Sequence, residues 1–237
     1  MKQSRFPQLP ASLHRTMCKI DRLLDRAYGA PAEELDNKPD PLDEAIYIIL
    51  TFQTDIERAR SVWKELRSAF PDWEGLLDAP VGRVARVLRA GGLHKQKART
   101  IKRLIQFVKD HVGRLSLDFL RNLDDDSAER FLLRLPGLSW KGARCVLLYS
   151  LGRRAFPVDG NTLRILRRTG VVPQNVVYRR RGLHDALQHA VTPARRMAFH
   201  INVVVHGQRT CLPLKPRCHE CPARIACLKR NVPQSLG

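Results

Sequence analysis

The sequence predicts an all-α fold. Apolar residues recur at helical period through most of the chain, strand signals are confined to a few short runs, and turn-forming breakers divide the helical stretches. Residues 1–10 read as a loose start. In the next stretch Leu13, Met17, Ile20, Leu23 and Leu24 share one face, with basic residues on the other. Residues 30–43, rich in Pro, Asp, Glu and Asn, read as a connector. Helix-period segments then follow at 43–53, 55–69, 73–77, 81–89, 95–112, 116–121 and 127–134, parted by FPDW, GGLH and DDD. Asp126 and Glu129 have the spacing of a capping box ahead of FLLRL, so the acidic triple 124–126 is read as a helix start rather than a metal site. VVP and NVVY near 171–178 are the short strand candidates. INVVVHG at 201–207 fits a strand or a buried helix, and with basic residues and apolar periodicity on both sides 185–207 is expected to be helical. The chain has no internal repeat and no low-complexity tract.

The chain has 237 residues, enough for one sizeable domain or two small ones, and 43% are apolar, enough for a core. Its charge is unusual: 42 Lys and Arg stand against 23 Asp and Glu, a net +19. Such a field favours a polyanion, nucleic acid first. An anionic membrane surface is the competitor, but no 18-residue apolar run, signal peptide or lipidation motif supports it. The runs Arg167-Arg168, Arg179-Arg180-Arg181 and Arg195-Arg196 exceed what one short footprint needs. Some of them are read as solvated faces or aids to sliding along DNA.

Cys211, Cys218, Cys221 and Cys227 lie within seventeen residues, separated by six, two and five. A loop this short has no core in which to bury four thiols, so they are read as ligands of one metal centre in a reducing interior. Cys18 and Cys145 are expected in the core. Spacing leaves two metals open: tetrahedral zinc, usually held by well-separated knuckles, and a [4Fe–4S] cubane, whose ligands are also four cysteines. Lys215 and Arg217, between the first two cysteines, are either phosphate contacts or solvated charge.

The segment LPGLSWKGARCVLLYSLG, residues 135–152, places a Pro-Gly turn between a helix ending near Arg134 and one starting near Trp140. The N–H groups from Gly137 through Ser139 to Lys141 then sit at a helix N-terminus, where a phosphate is welcome. Lys141 falls in the first turn, where the helix dipole and partial burial both disfavour the ammonium form. Those two effects turn a lysine into a nucleophile near neutral pH. A surface lysine touching phosphate is the plainer reading. In RRAFPVDGNTLRILRRTG, Asp159 stands alone at an apolar-to-polar boundary, placed to cap a helix and to stabilise a cation developing in a substrate.

With these segments in view, the chain resembles the helix-hairpin-helix (HhH-GPD) DNA glycosylases, most of all the endonuclease III branch. LPGLSWKGA matches the family's hairpin, PVDGN its aspartate segment, HGQRTCLPLKPRCHECPARIAC its iron–sulfur loop, and ILTFQTD and GGLHKQKA its two DNA-entering loops. The match runs from about residue 42 to 230. The resemblance implies a two-lobed all-α fold: residues 42–155 as a six-helix domain with its hairpin at 132–150, and 156–237 as a second lobe completed by 1–41. It implies Lys141 and Asp159 as catalytic residues, with Gly137 and Ser139 on phosphate. Gln53 would fill the hole left by a flipped base and Leu93 would wedge the opposite strand, although a helix C-cap and simple core are their plainer readings. Cys211, Cys218, Cys221 and Cys227 would hold a [4Fe–4S] cluster, with Lys215 and Arg217 reaching phosphate. The implied partner is double-stranded DNA with a damaged base or abasic site, met by a cytoplasmic monomer.

The chain also departs from the endonuclease III pattern. Ser139 replaces the second hairpin glycine, which costs on the order of 1–2 kcal/mol if that position is left-handed. Gly160-Asn161 stands where the pyrimidine-damage branch has Thr-His, and Asp-Gly-Asn is similar to the adenine-specific mismatch branch. That branch generally lacks the lysine and carries a glutamate near the first loop, where IYIILTFQTD has no acid before Asp55. The first loop is also about one residue shorter.

Overall fold

A computed structural model describes residues 10–230 and 232, apart from 32, 34 and 179. The loose start over residues 1–9 and Arg179 of the arginine run lie outside the described residues. The expected all-α class holds, and no strand occurs among the described residues. The order is α1 (Ala11–Tyr28), α2 (Pro41–Leu50), α3 (Ile56–Ala69), α4 (Trp73–Asp78), α5 (Val81–Val87), α6 (His94–Val112), α7 (Asp125–Leu132), α8 (Trp140–Cys145), α9 (Gly160–Arg168), α10 (Arg181–Ala190) and α11 (Arg196–Arg209), with short 3₁₀ turns between some of them. The chain divides into two units, residues 35–153 and residues 1–34 with 154–237. No described helix is long and apolar enough to cross a membrane.

Aspartates start five of these helices. Asp40, Asp55, Asp72, Asp124 and Asp159 each accept a backbone N–H of the first turn, satisfying donors that the helix leaves orphaned. At α7 the cap is Asp124, which accepts from Ser127 N at 2.8 Å, so the expected Asp126–Glu129 capping box is not formed. Glu129 is engaged elsewhere: its Oε1 accepts from Arg144 Nε of α8 at 2.7 Å in a buried ion pair that ties the two hairpin helices together.

In the unit 35–153, α2 is buried on every side, from Leu42 through Ile46, Tyr47, Ile48 and Ile49 to Leu50. A helix apolar all round belongs at the centre, and α3, α6 and α8 pack around it. The helix stops at Leu50, three residues before its expected end, because the chain turns sharply there and Gln53 is left-handed at φ 51°. In the other unit α11 packs on α1 and α9, with Met17, Ile20, Leu24, Phe156, Phe199 and Val203 in the core.

Several expectations are corrected. Val171 and Val172 are buried turn residues and not strand. The helix expected over 185–207 is two, α10 and α11, broken at Pro193, which has no N–H to continue a ladder. Cys145 is buried as expected, whereas Cys18 is only partly buried, its Sγ 3.8 Å from His14 Nδ1. Arg180 and Arg181 are exposed, whereas the pairs at 167–168 and 195–196 are engaged within the fold. Arg195 pairs with Asp21 and Asp25 of α1, each at 2.9 Å, Arg167 donates to Val176 O at 2.7 Å, and Arg168 is buried.

Candidate active site and cysteine loop

The hairpin is built on one glycine. Gly137 sits at φ 89°, and a Cβ there would lie 2.3 Å from Thr100 Cγ2 of α6 and 3.4 Å from Ile49 Cδ1 of α2. Neither the backbone nor the space admits a side chain, so the turn seats against α2 and α6. Ser139 is extended, at φ −112° and ψ 179°, so the condition for left-handed strain at this position is not met. A serine costs nothing at that backbone, and its hydroxyl makes no hydrogen bond to the helix it precedes. α8 begins at Trp140 and places Lys141, partly exposed, in its first turn. A π-helical turn over Val146–Ser150 continues α8.

Glu44 of α2 has no counterpart in the sequence reading. It is 0% exposed, Oε2 accepts from Lys38 N at 2.6 Å, and Oε1 has no hydrogen-bond partner. Burial pushes its carboxyl up to about 7, opposed by the Lys38 N–H and by the charges of Lys141 and Lys38. An acid near neutrality thus stands within electrostatic range of Lys141. Its sequence signal was a glutamate beside Asp43 in the first turn of a helix that is apolar from Ala45 to Leu50 apart from the Tyr47 hydroxyl.

Two neighbouring loops present the residues expected to enter DNA. Gln53 is exposed and left-handed. Leu93, the N-cap of α6, is left-handed at φ 47° and 47% exposed, so it is not core. Left-handed leucine is rare, and such strain gathers at functional positions. Beside Leu93, Arg86, Arg89, His94, Lys95 and Arg99 line an open basic concavity of about 710 Å³.

In the other unit Asp159 caps α9. Its Oδ1 accepts from Thr162 N and Thr162 Oγ1, each at 2.7 Å, and its Oδ2 accepts from Asn161 Nδ2 at 3.1 Å. Asn161 Oδ1 accepts from Arg164 Nη2 at 2.8 Å, and Arg164 Nε donates to Cys211 O at 3.0 Å. A continuous hydrogen-bonded path therefore joins Asp159 to the first cysteine of the loop. Gly207 of α11 makes room for it, since a Cβ there would lie 2.6 Å from Asn161 Cβ. The sequence reading named Asn161 only as a departure and missed the path.

The cysteine loop lies on the apolar core of the same unit, with Cys211, Cys221 and Ala226 packed against it. Arg168 donates to Cys211 Sγ at 3.3 Å and to the carbonyls of Leu212 and Pro213, each at 2.7 Å. Cys227 Sγ accepts from Lys229 N at 3.3 Å, and Cys221 Sγ lies 3.6 Å from His206 Nε2. Burial pushes Cys221 up to about 11, and the other three cysteines add to the rise. Thiolates that repel one another in this way ionise together only around a positive centre. Four soft sulfur donors and a nearby guanidinium fit an iron–sulfur cluster or zinc. Among the described residues, no three His, Cys, Asp or Glu side chains are gathered as a site for a metal ion. Lys215 and Arg217 are exposed, with Arg217 Nη1 3.9 Å from Glu220 Oε2.

Protein ROS1A of Oryza sativa subsp. japonica is 33% identical over 172 residues, which is 66% of this chain and 9% of that protein. DNA glycosylase/AP lyase ROS1 of Arabidopsis thaliana is 30% identical over 172 residues, 66% of this chain and 12% of its own length. The chain thus spans about a tenth of the length of these relatives. Endonuclease III of Sulfolobus acidocaldarius is 27% identical over 149 residues, 63% of each chain. Among solved structures, a trapped endonuclease III–DNA covalent intermediate superposes with a TM-score of 0.78 at 20% identity, covering 91% of this chain and 96% of that one, which shows the same fold. Residues 46–183 match the HhH-GPD superfamily base excision DNA repair protein family, and the chain belongs to that family.

Proposed function

We propose that the protein is a DNA glycosylase of base excision repair with an associated abasic-site lyase activity, acting through Lys141. The observation that carries this reading is the lysine in the first turn of the helix that follows a hairpin pinned by Gly137. The damaged nucleotide leaves the stack, because its glycosidic carbon is unreachable inside it. The neutral Lys141 amine attacks C1′ while the base departs with the bonding pair. The resulting aminal opens as its C1′–O4′ bond breaks and O4′ takes the proton released by the lysine nitrogen, leaving a C4′ hydroxyl and a Schiff base, and loss of a C2′ proton then expels the 3′ phosphate. Asp159 stabilises the cationic sugar as the base leaves. Its carboxylate is held for this by Thr162 and Asn161.

Cys211, Cys218, Cys221 and Cys227 would hold a [4Fe–4S] cluster, which supplies a rigid staple for the loop and no open ligand position for substrate. Lys215 and Arg217 are exposed on that loop for phosphate, and Gln53 and Leu93 are the inserting residues. Monofunctional excision, with Lys141 only holding phosphate, is the competing reading, favoured by Asp-Gly-Asn at 159–161. A panel of duplexes carrying thymine glycol, oxidised cytosine, uracil, mismatched adenine, methylcytosine or an abasic site tests both. Base release with strand nicking supports the bifunctional reading, and base release without nicking supports the other.

A further inference from the structure

We propose that Lys97 is a positioning residue that locks the two DNA-facing loops to each other, so that Gln53 and Leu93 are presented as one preformed inserting pair. The inference rests on the DNA-entering role given to those loops above. Lys97 lies four residues into α6, and its backbone N–H donates to Leu93 O at 2.9 Å. Its side chain turns inward and is buried at 3% exposure. There the ammonium donates to Leu50 O at 2.8 Å, where α2 ends, to Thr54 Oγ1 at 2.6 Å in the first loop, and to Gly91 O at 2.7 Å in the second. Thr54 Oγ1 also lies 2.6 Å from Gly91 O, closing the link between the loops directly.

Three ammonium protons thus meet three acceptors drawn from both loops, and none of these acceptors is a carboxylate. Burial pulls the Lys97 pKa down to about 8, while the three acceptors favour the charged form. A charge taken from water and matched only by neutral acceptors, two carbonyls and one hydroxyl, is a poor choice for stability alone. It suits a joint that must hold two strained backbones in register. Gln53 at φ 51° and Leu93 at φ 47° are those backbones, each within four residues of a Lys97 contact. Non-glycine residues persist there only when their surroundings over-determine them.

The test compares wild type with Lys97→Met, and with the milder Thr54→Val in case the first variant folds poorly. Hydrogen exchange is read at the amides of residues 51–54 and 91–95. Loop insertion is read separately, as the fluorescence rise of 2-aminopurine opposite a tetrahydrofuran abasic analogue in a duplex. Lys97→Met is expected to lose protection at least tenfold in both loops together, and to lose most of the fluorescence rise at saturating protein, with DNA affinity changed less than about threefold. Thr54→Val moves both readouts the same way by less. Loss of protection in one loop only, or in neither, overturns the clamp, as does an undiminished fluorescence rise. Neither readout needs catalysis. A wild type that inserts but excises nothing from the panel overturns the proposed activity and leaves the clamp standing.

Discussion

Asn161 holds Asp159: its side-chain amide donates to Asp159 Oδ2 at 3.1 Å, while its own carbonyl takes Arg164, which in turn donates to Cys211 O. The residue that sets this chain apart from the pyrimidine-damage pattern thus links the candidate catalytic carboxylate to the cysteine loop. Asn161→Ala is expected to slow single-turnover base release at least tenfold with DNA affinity within about threefold of wild type. Equal losses in both measurements would mean that the link serves folding only.

Glu44 makes stability pH-dependent. Its carboxyl titrates near 7 in the fold against 4.5 for an ordinary glutamate. Between those values the unfolded chain has released a proton that the fold retains, so the contribution of Glu44 to stability declines as pH rises from about 4.5 to 7 and is level above. The Glu44 contribution to that decline is on the order of 3 kcal/mol. Glu44→Gln should make the slope of stability against pH more positive between pH 5 and 7 in denaturant titrations at pH 5, 6, 7 and 8, and an unchanged slope would contradict the assignment.

Gly137→Ala should destabilise the unit 35–153 by about 3 kcal/mol, from the left-handed backbone and the clash with Thr100 together. Adding Thr100→Ser removes the methyl but not the backbone strain, so only part of the loss returns. Thermal melts of the single and double variants check this.

Arg144 and Glu129 form a buried pair at 2.7 Å between the hairpin helices. Removing either partner strands a charge and should cost about 3–5 kcal/mol, whereas Arg144→Met with Glu129→Gln should recover much of that. A double-mutant cycle by denaturation reads the coupling, and additive losses would refute it.

The fold was legible because helical periodicity is local: the faces of α1 and α6 and the breakers between helices can be read from neighbours in sequence. The first-turn place of Lys141 in α8 and the cap role of Asp159 in α9 were legible because both sit in short segments whose local pattern sets a helix start. Lys97 and the Asn161–Arg164 path were not, since each reaches partners far along the chain, and Glu44 was not, since its burial comes from the packing around α2. Lys97 meets Leu50 and Thr54 across more than forty residues, and Arg164 reaches Cys211 across 47. A lysine four residues before Ile101 on the buried face of α6 was the one sequence clue, and periodicity alone does not say what such a lysine binds. The misplaced α7 cap has a similar origin, because Glu129 has a tertiary partner in Arg144 that overrides its local one.

The cysteine loop predicts a coloured protein. Anaerobically purified material should contain about four irons and four acid-labile sulfides per chain. Colourless protein holding a single zinc would overturn the cluster.

Borohydride reduction in the presence of abasic duplex DNA, followed by peptide mapping of the adduct, tests the central claim most directly. The account predicts a covalent protein–DNA product attached at Lys141 and abolished in Lys141→Ala. An adduct of equal yield in that variant, or one mapped to another residue, would contradict it.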